Sequence, residues 1–118
     1  MSKPWVPDAG DLVWIDLDPQ AGHEQAGRRP GLVLSAAAYN GSASLALLCP
    51  ITKQAKGYPF EVPLSVGTKM TGVVLSDHVK SLDWKARKAE FVAKAPRTVM
   101  DTVRQYVALL LGVPSKSS

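Results

Sequence analysis

Gly22-His23-Glu24-Gln25-Ala26-Gly27-Arg28-Arg29-Pro30-Gly31-Leu32-Val33-Leu34-Ser35 joins two unlike halves. Gly31 to Leu34 is a short apolar, partly β-branched run and reads as a buried strand, extended to Ser35. The half before it sets two glycines around an imidazole and a carboxylate, then two guanidiniums and a proline. Charges are rarely buried unpaired, so this half reads as a loop that delivers them to the mouth of the strand. A guanidinium offers a phosphate two parallel donors, and Glu and His can move protons. The loop is a candidate site for work on a phosphodiester. A solvated loop in which Glu24 simply pairs with an arginine is the alternative.

The rest of the chain supplies strands for that loop to join. Asp11 to Leu17 reads as a first strand, with Val13, Ile15 and Leu17 on one face and Leu12, Trp14 and Asp16 on the other. Trp14 is thus either core or a platform on a binding groove. Ala36 to Tyr39 has room for one helical turn before Asn40-Gly41, a turn dipeptide. Ser44 to Pro50 is apolar on both faces and reads as central. Behind it Ile51-Thr52-Lys53-Gln54-Ala55-Lys56-Gly57-Tyr58-Pro59 is a second polar loop, with a hydroxyl and two lysines. Phe60 to Leu64 is a further strand. Gly72 to Leu75 and Asp77 to Lys80 form one long strand, or two broken near Ser76. On a regular strand Asp77 and His78 would face opposite ways, and a lone His there is ordinarily structural. An irregular segment, Leu82 to Arg87, precedes a last strand, Ala89 to Ala93. Pro96 opens the one clear helix, whose stripe of Val99, Val103, Val107 and Leu110 is widened by Met100, Tyr106 and Leu111. Gly112 closes it and Pro114 prevents its continuation.

Several short strands followed by a terminal helix give a mostly β fold: a small, mainly antiparallel, curled sheet or barrel. Its 118 residues suit a single domain, 1–118, with an ordered core over 6–112 and a tail over 113–118. A net charge of +4, from 14 basic and 10 acidic residues, favours an anionic partner without demanding one. The one cysteine, Cys49, excludes a disulfide framework and reads as a small buried hydrophobe. The first ten residues do not resemble a signal peptide, and the longest apolar run, Val107 to Leu111, is too short to span a membrane. A cytoplasmic protein without a membrane association is expected. There is no Gly-rich phosphate loop after the first strand and no Cys/His cluster, so no cofactor and no metal site is expected, and phosphodiester chemistry would run without a metal.

Taken together, these segments resemble the MazF/PemK (Kid) family of toxin endoribonucleases. Val6-Pro7-Asp8-Ala9-Gly10-Asp11-Leu12-Val13-Trp14 is similar to its opening, and Gly22 to Pro30 to its signature loop. Pro50-Ile51-Thr52, Lys56 to Val62, Thr71 to Asp77 and Asp83-Trp84-Lys85-Ala86-Arg87 continue the likeness in order, from about residue 6 to Gly112. The resemblance implies a dimeric SH3-like barrel of the CcdB/PemK/MazF type. It implies a homodimer that cleaves single-stranded RNA at a short sequence without a metal, and a cognate antitoxin whose acidic C-terminal tail fills the RNA groove. In the resemblance Arg29 matches the arginine before proline, Thr52 a phosphate-binding threonine and Glu24 the signature glutamate. His23 and Asp77 match positions used in the Kid branch. Trp14, Arg28, Lys53, Lys56, Lys80 and Arg87 are the further candidate RNA contacts. There are departures: the Kid branch has arginine where this chain has Leu75, and other MazF members lack a histidine at the position of His23. The rivals are a CcdB-like inhibitor of gyrase that acts by binding alone, and a nucleic-acid-binding barrel without catalysis. The first relies on a tryptophan near the C-terminus, whereas the last one here is Trp84.

Overall fold

The computed structural model describes residues 4–17, 28–64 and 69–114. Seven strands and two helices follow in the order β1 (Asp11–Asp16), β2 (Arg28–Val33), α1 (Ala37–Ala43), β3 (Ala46–Thr52), β4 (Glu61–Leu64), β5 (Gly72–Leu75), β6 (Lys80–Leu82), β7 (Glu90–Lys94) and α2 (Arg97–Leu110). All the pairings are antiparallel, in the order β4-β5-β3-β2-β1-β7. The sheet curls as a half-barrel whose path ends at β4 and β7 among the described residues. The expected mostly β fold with a C-terminal helix is the one observed.

Both faces of the curl are buried. Leu12, Leu32, Cys49, Ile51, Val62, Leu64 and Val74 pack with Val99, Met100 and Val103 of α2. Val13, Ile15, Val33, Ala46 and Leu48 form a second cluster on Leu82 and Trp84. The alternation read along β1 thus serves two cores rather than a core and a solvent face. In the pairing with β7 the register shifts between Leu12 and Val13, which face Ala93 and Phe91 and leave Val92 of β7 as the extra residue.

Three elements differ from expectation, and a fourth takes one of its two expected forms. β2 begins at Arg28, so both arginines stand on the strand rather than in the loop before it; Arg28 pairs with Asp16 and Arg29 with Ile15. Asn40-Gly41 is not a turn but lies inside α1, where Asn40 is wholly buried. Its amide donates to the carbonyls of Pro7 and Ser35 at 2.8 and 2.9 Å and accepts from the Ser35 hydroxyl at 2.6 Å. Three hydrogen bonds outweigh the turn preference of the dipeptide. Of the two readings of 72–80 the broken one is observed: β5 lies on the Thr52 end of β3 and β6 on its Ala46 end, with residues 76–79 as the break. Asp77 and His78 therefore lie in a turn, and the opposite-face argument does not apply to them. The apolar stripe of α2 reaches its packing limit at Val107, since Leu110 and Leu111 are exposed.

Chain ends of the helices are held from elsewhere. The N-terminal residue of α1 has no cap from its own neighbour Ala36; instead the Asp8 carboxylate accepts the N–H groups of Ala9 and Ala37, each at 2.9 Å. Those two donors hold its carboxyl below its ordinary value of 3.8. At the other end, Gly112 closes α2 at φ +76, with Val113 N–H returning to the Ala108 carbonyl at 2.9 Å.

Candidate RNA-cleaving groove

The C-terminal end of β3 stands beside the N-terminal end of β2, and between them the surface opens. A groove of about 540 Å³ is lined by Trp14, Arg28, Arg29, Pro30, Ile51, Thr52, Lys53 and Gln54. A smaller lobe of about 210 Å³ is lined by Thr52, Gln54, Lys56, Tyr58, Glu61, Leu75 and His78. Thr52 and Gln54 belong to both, so Thr52 stands where the two lobes meet.

Thr52 is fixed from two sides. It pairs with Val73 across β3 and β5, and its Oγ1 accepts the N–H of Gln54 at 3.1 Å. The hydroxyl keeps its own proton to donate. Beside it, Gly72 runs at φ +137, and a Cβ at that position would lie 2.4 Å from the Thr52 carbonyl oxygen. Only glycine lets β5 come this close. Arg29 is exposed; its Nη1 donates to the Arg28 carbonyl at 3.1 Å, and among the described residues it has no carboxylate partner. Trp14 is 40% exposed, which rules out the core placement and makes it a wall of the groove.

The other expected residues divide. Lys53 lines the larger lobe and Lys56 the smaller. Arg28 borders the groove, yet its guanidinium is engaged with Asp16 at 3.1 Å and Glu90 at 2.6 Å. Arg87 donates to the carbonyls of Asp16 and Leu17 at 3.0 and 2.8 Å. Lys80 is an exposed residue of β6, opposite Leu48, and lines neither lobe. Asp77 also lines neither; its Oδ1 lies 3.7 Å from His78 Nε2. The structure thus makes a local pair of two residues that a regular strand would have separated. His78 is exposed and faces the smaller lobe, so it is no buried structural histidine. His23 and Glu24 lie outside the described residues. Cys49 is buried, and burial, with the Asp77 charge second, pushes its thiol up to about 12, far from a nucleophile. No group of three metal-ligating side chains occurs among the described residues.

Sequence reasoning passed over Gln54, Tyr58 and Glu61 as site residues. Their signal lay in the second polar loop, where a run of donors follows directly on Thr52.

The sequence profile of the PemK-like, MazF-like toxin of type II toxin-antitoxin system matches residues 8–111. This chain belongs to that family. It is 45% identical over 112 residues to the endoribonuclease toxin MazF of Escherichia coli K12, covering 95% of this chain and all of that one. With the endoribonuclease PemK of Escherichia coli it is 36% identical over 108 residues, covering 88% and 81%. The crystal structure of MazE-MazF from Deinococcus radiodurans superposes with a TM-score of 0.85 at 50% identity, covering 94% of this chain and all of the matched one. In this PemK-like, MazF-like toxin the groove is lined together by Thr52, by Arg29, which has no carboxylate partner among the described residues, and by the exposed indole of Trp14. Leu75, the departure from the Kid branch, lines the smaller lobe and gives it an apolar wall.

Proposed function

We propose that the chain is the toxin of a toxin–antitoxin system, an endoribonuclease that cleaves single-stranded RNA in the groove between β2 and β3. The observation that carries the reading is the Arg29 guanidinium, which has no carboxylate partner among the described residues and shares one groove with the Thr52 hydroxyl. RNA carries its own nucleophile. The 2′-hydroxyl attacks the adjacent phosphorus, the bond to the 5′-oxygen breaks, and the products are a 2′,3′-cyclic phosphate and a 5′-hydroxyl. Such a reaction needs no metal in principle. It needs a base for the 2′-proton, an acid for the leaving oxygen, and positive charge on the phosphorane.

Arg29 supplies the charge and Thr52 a hydrogen bond to a non-bridging oxygen, both placed before the reaction starts. Arg29 is not the base, since guanidinium stays protonated. In this reading Glu24 or Asp77 takes the 2′-proton and His23 returns one to the leaving oxygen; Asp77, which lines neither lobe, would reach the substrate from outside the described groove lining. Trp14 offers a stacking face, and Lys53 and Lys56 offer charge to the flanking phosphates. Arg28, at the border of the groove, and Arg87, outside its lining, are engaged in internal bonds. The reading includes a homodimer, an antitoxin whose acidic tail occupies the same groove, and a place in the cytoplasm. No helix of the described residues is long and apolar enough to cross a membrane. The exposed Leu109, Leu110, Leu111 and Val113 at the end of α2 are an apolar surface of the kind that subunits bury.

The test is cleavage of a mixed-sequence single-stranded RNA in EDTA beside matched DNA, with the new ends mapped. RNA-only cleavage to cyclic-phosphate and 5′-hydroxyl ends is expected. Intact RNA, with gyrase supercoiling impaired in parallel, would move the chain to the inhibitor class.

A further inference from the structure

Residues 53–60, between β3 and β4, bring Lys53, Gln54, Lys56 and Tyr58 to the two lobes without a strand to hold them. One side chain folds this loop. Glu61, the first residue of β4, turns its carboxylate back: Oε1 accepts the N–H of Gly57 at 3.0 Å, and the two oxygens lie 3.2 and 3.1 Å from the N–H nitrogen of Lys56. The Glu61 N–H in turn donates to the Tyr58 carbonyl at 3.2 Å. Gly57 makes the turn at φ +77, a conformation that favours glycine, and this aims two successive N–H groups at one carboxylate. At the far end Phe60 packs edge-on to Tyr106 of α2, with ring centroids 5.5 Å apart.

The sign of the charge is what singles out Glu61. A carboxylate lining a groove that binds a polyanion repels it, so on charge alone its removal should strengthen binding. Its oxygens face backbone donors instead. We propose that Glu61 is a positioning residue, whose carboxylate holds the 53–60 loop as the wall of the smaller lobe and thereby sets the affinity for RNA. This rests on the endoribonuclease reading above. Arg29 and Thr52 stand on strands and keep their places without the clamp.

Charge and clamp make opposite forecasts for two variants. Binding is measured with an RNA made uncleavable by 2′-O-methylation, and kcat and KM with its cleavable counterpart. Glu61→Ala is expected to weaken binding about tenfold and raise KM to match, with kcat within about twofold of wild type. Glu61→Gln loses the charge but keeps Oε1 for both N–H groups, and is expected to bind at least as tightly as wild type. Gly57→Ala meets no atom within 4 Å and strains only the turn, so it should weaken binding as Glu61→Ala does, and it carries the test if Glu61→Ala fails to fold. Wild-type affinity in the alanine variants, an equal loss in Glu61→Gln, or a fall in kcat at constant KM would each overturn the inference alone. A wild-type chain that neither binds nor cleaves RNA would overturn the endoribonuclease reading, and this inference with it.

Discussion

The groove at the ends of β2 and β3 and the wall where β1 meets β7 both carry arginine and lysine, and they use their cations in opposite ways. In the wall, Arg28 bonds Asp16 and Glu90, Arg87 caps two backbone carbonyls, and Lys94 pairs with buried Asp11 at 2.6 Å. In the groove, Arg29 has no carboxylate among the described residues, and Lys53 and Lys56 are exposed and in no ion pair there. The number of cations does not distinguish these regions; the pairing of each cation does. Arg28 and Arg29 are adjacent, yet one is held by two carboxylates and the other has none among the described residues. A paired cation has its field largely cancelled at short range, whereas an unpaired one beside a hydroxyl is placed to meet a phosphate.

The sharpest way to break this contrast is Arg29→Ala. It should lower kcat about 100- to 1,000-fold, as loss of an aimed donor to a developing oxyanion does, with circular dichroism and Tm unchanged. Retained turnover would return Arg29 to the status of a surface residue. Thr52→Val keeps the shape and removes the hydroxyl; a loss of about tenfold in kcat/KM is expected, read by initial rates on the same RNA. Arg87→Met should act the other way round. Denaturant unfolding should show about 1–3 kcal/mol of lost stability, for two carbonyls left without their charged donor, while kcat/KM of the folded protein stays within twofold. A fall in RNA affinity at constant stability would place Arg87 in the groove's chemistry instead. The smallest effect belongs to Asp8. Its folded-state carboxyl lies below 3.8, so its contribution is present above that value and disappears as pH falls through the folded value. Asp8→Asn should flatten that part of an acid-unfolding curve and leave the RNA assay untouched.

The sequence made the strands legible wherever a face had to be buried. Alternation along Asp11–Asp16, the doubly apolar Ala46–Thr52 and the stripe of α2 all follow from one physical demand, and each appears within a few residues of its expected place. What it hid was pairing between distant segments. Nothing near Arg28 announces that Glu90, 62 positions on, will take its guanidinium. Nothing near Asn40 announces the Pro7 and Ser35 carbonyls that draw it inside a helix. Arg29 and Thr52 were singled out because resemblance fixed their place in an ordered set of motifs, and both line one groove. Glu61 was not, since its role lies in backbone amides that no side-chain pattern reveals. His78 was misread because a strand was continued through a turn.

Gly72 never faces the groove's contents, yet it limits what the groove can become. With 2.4 Å between a would-be Cβ and the Thr52 carbonyl, any larger residue must part the two strands at the point where the hydroxyl is anchored. An engineer retuning this protein for another RNA can exchange the walls of either lobe, since Trp14, Gln54 and Tyr58 are side chains on a finished frame. The same freedom does not extend to position 72, where a single hydrogen atom sets the distance between the frame and its reactive edge.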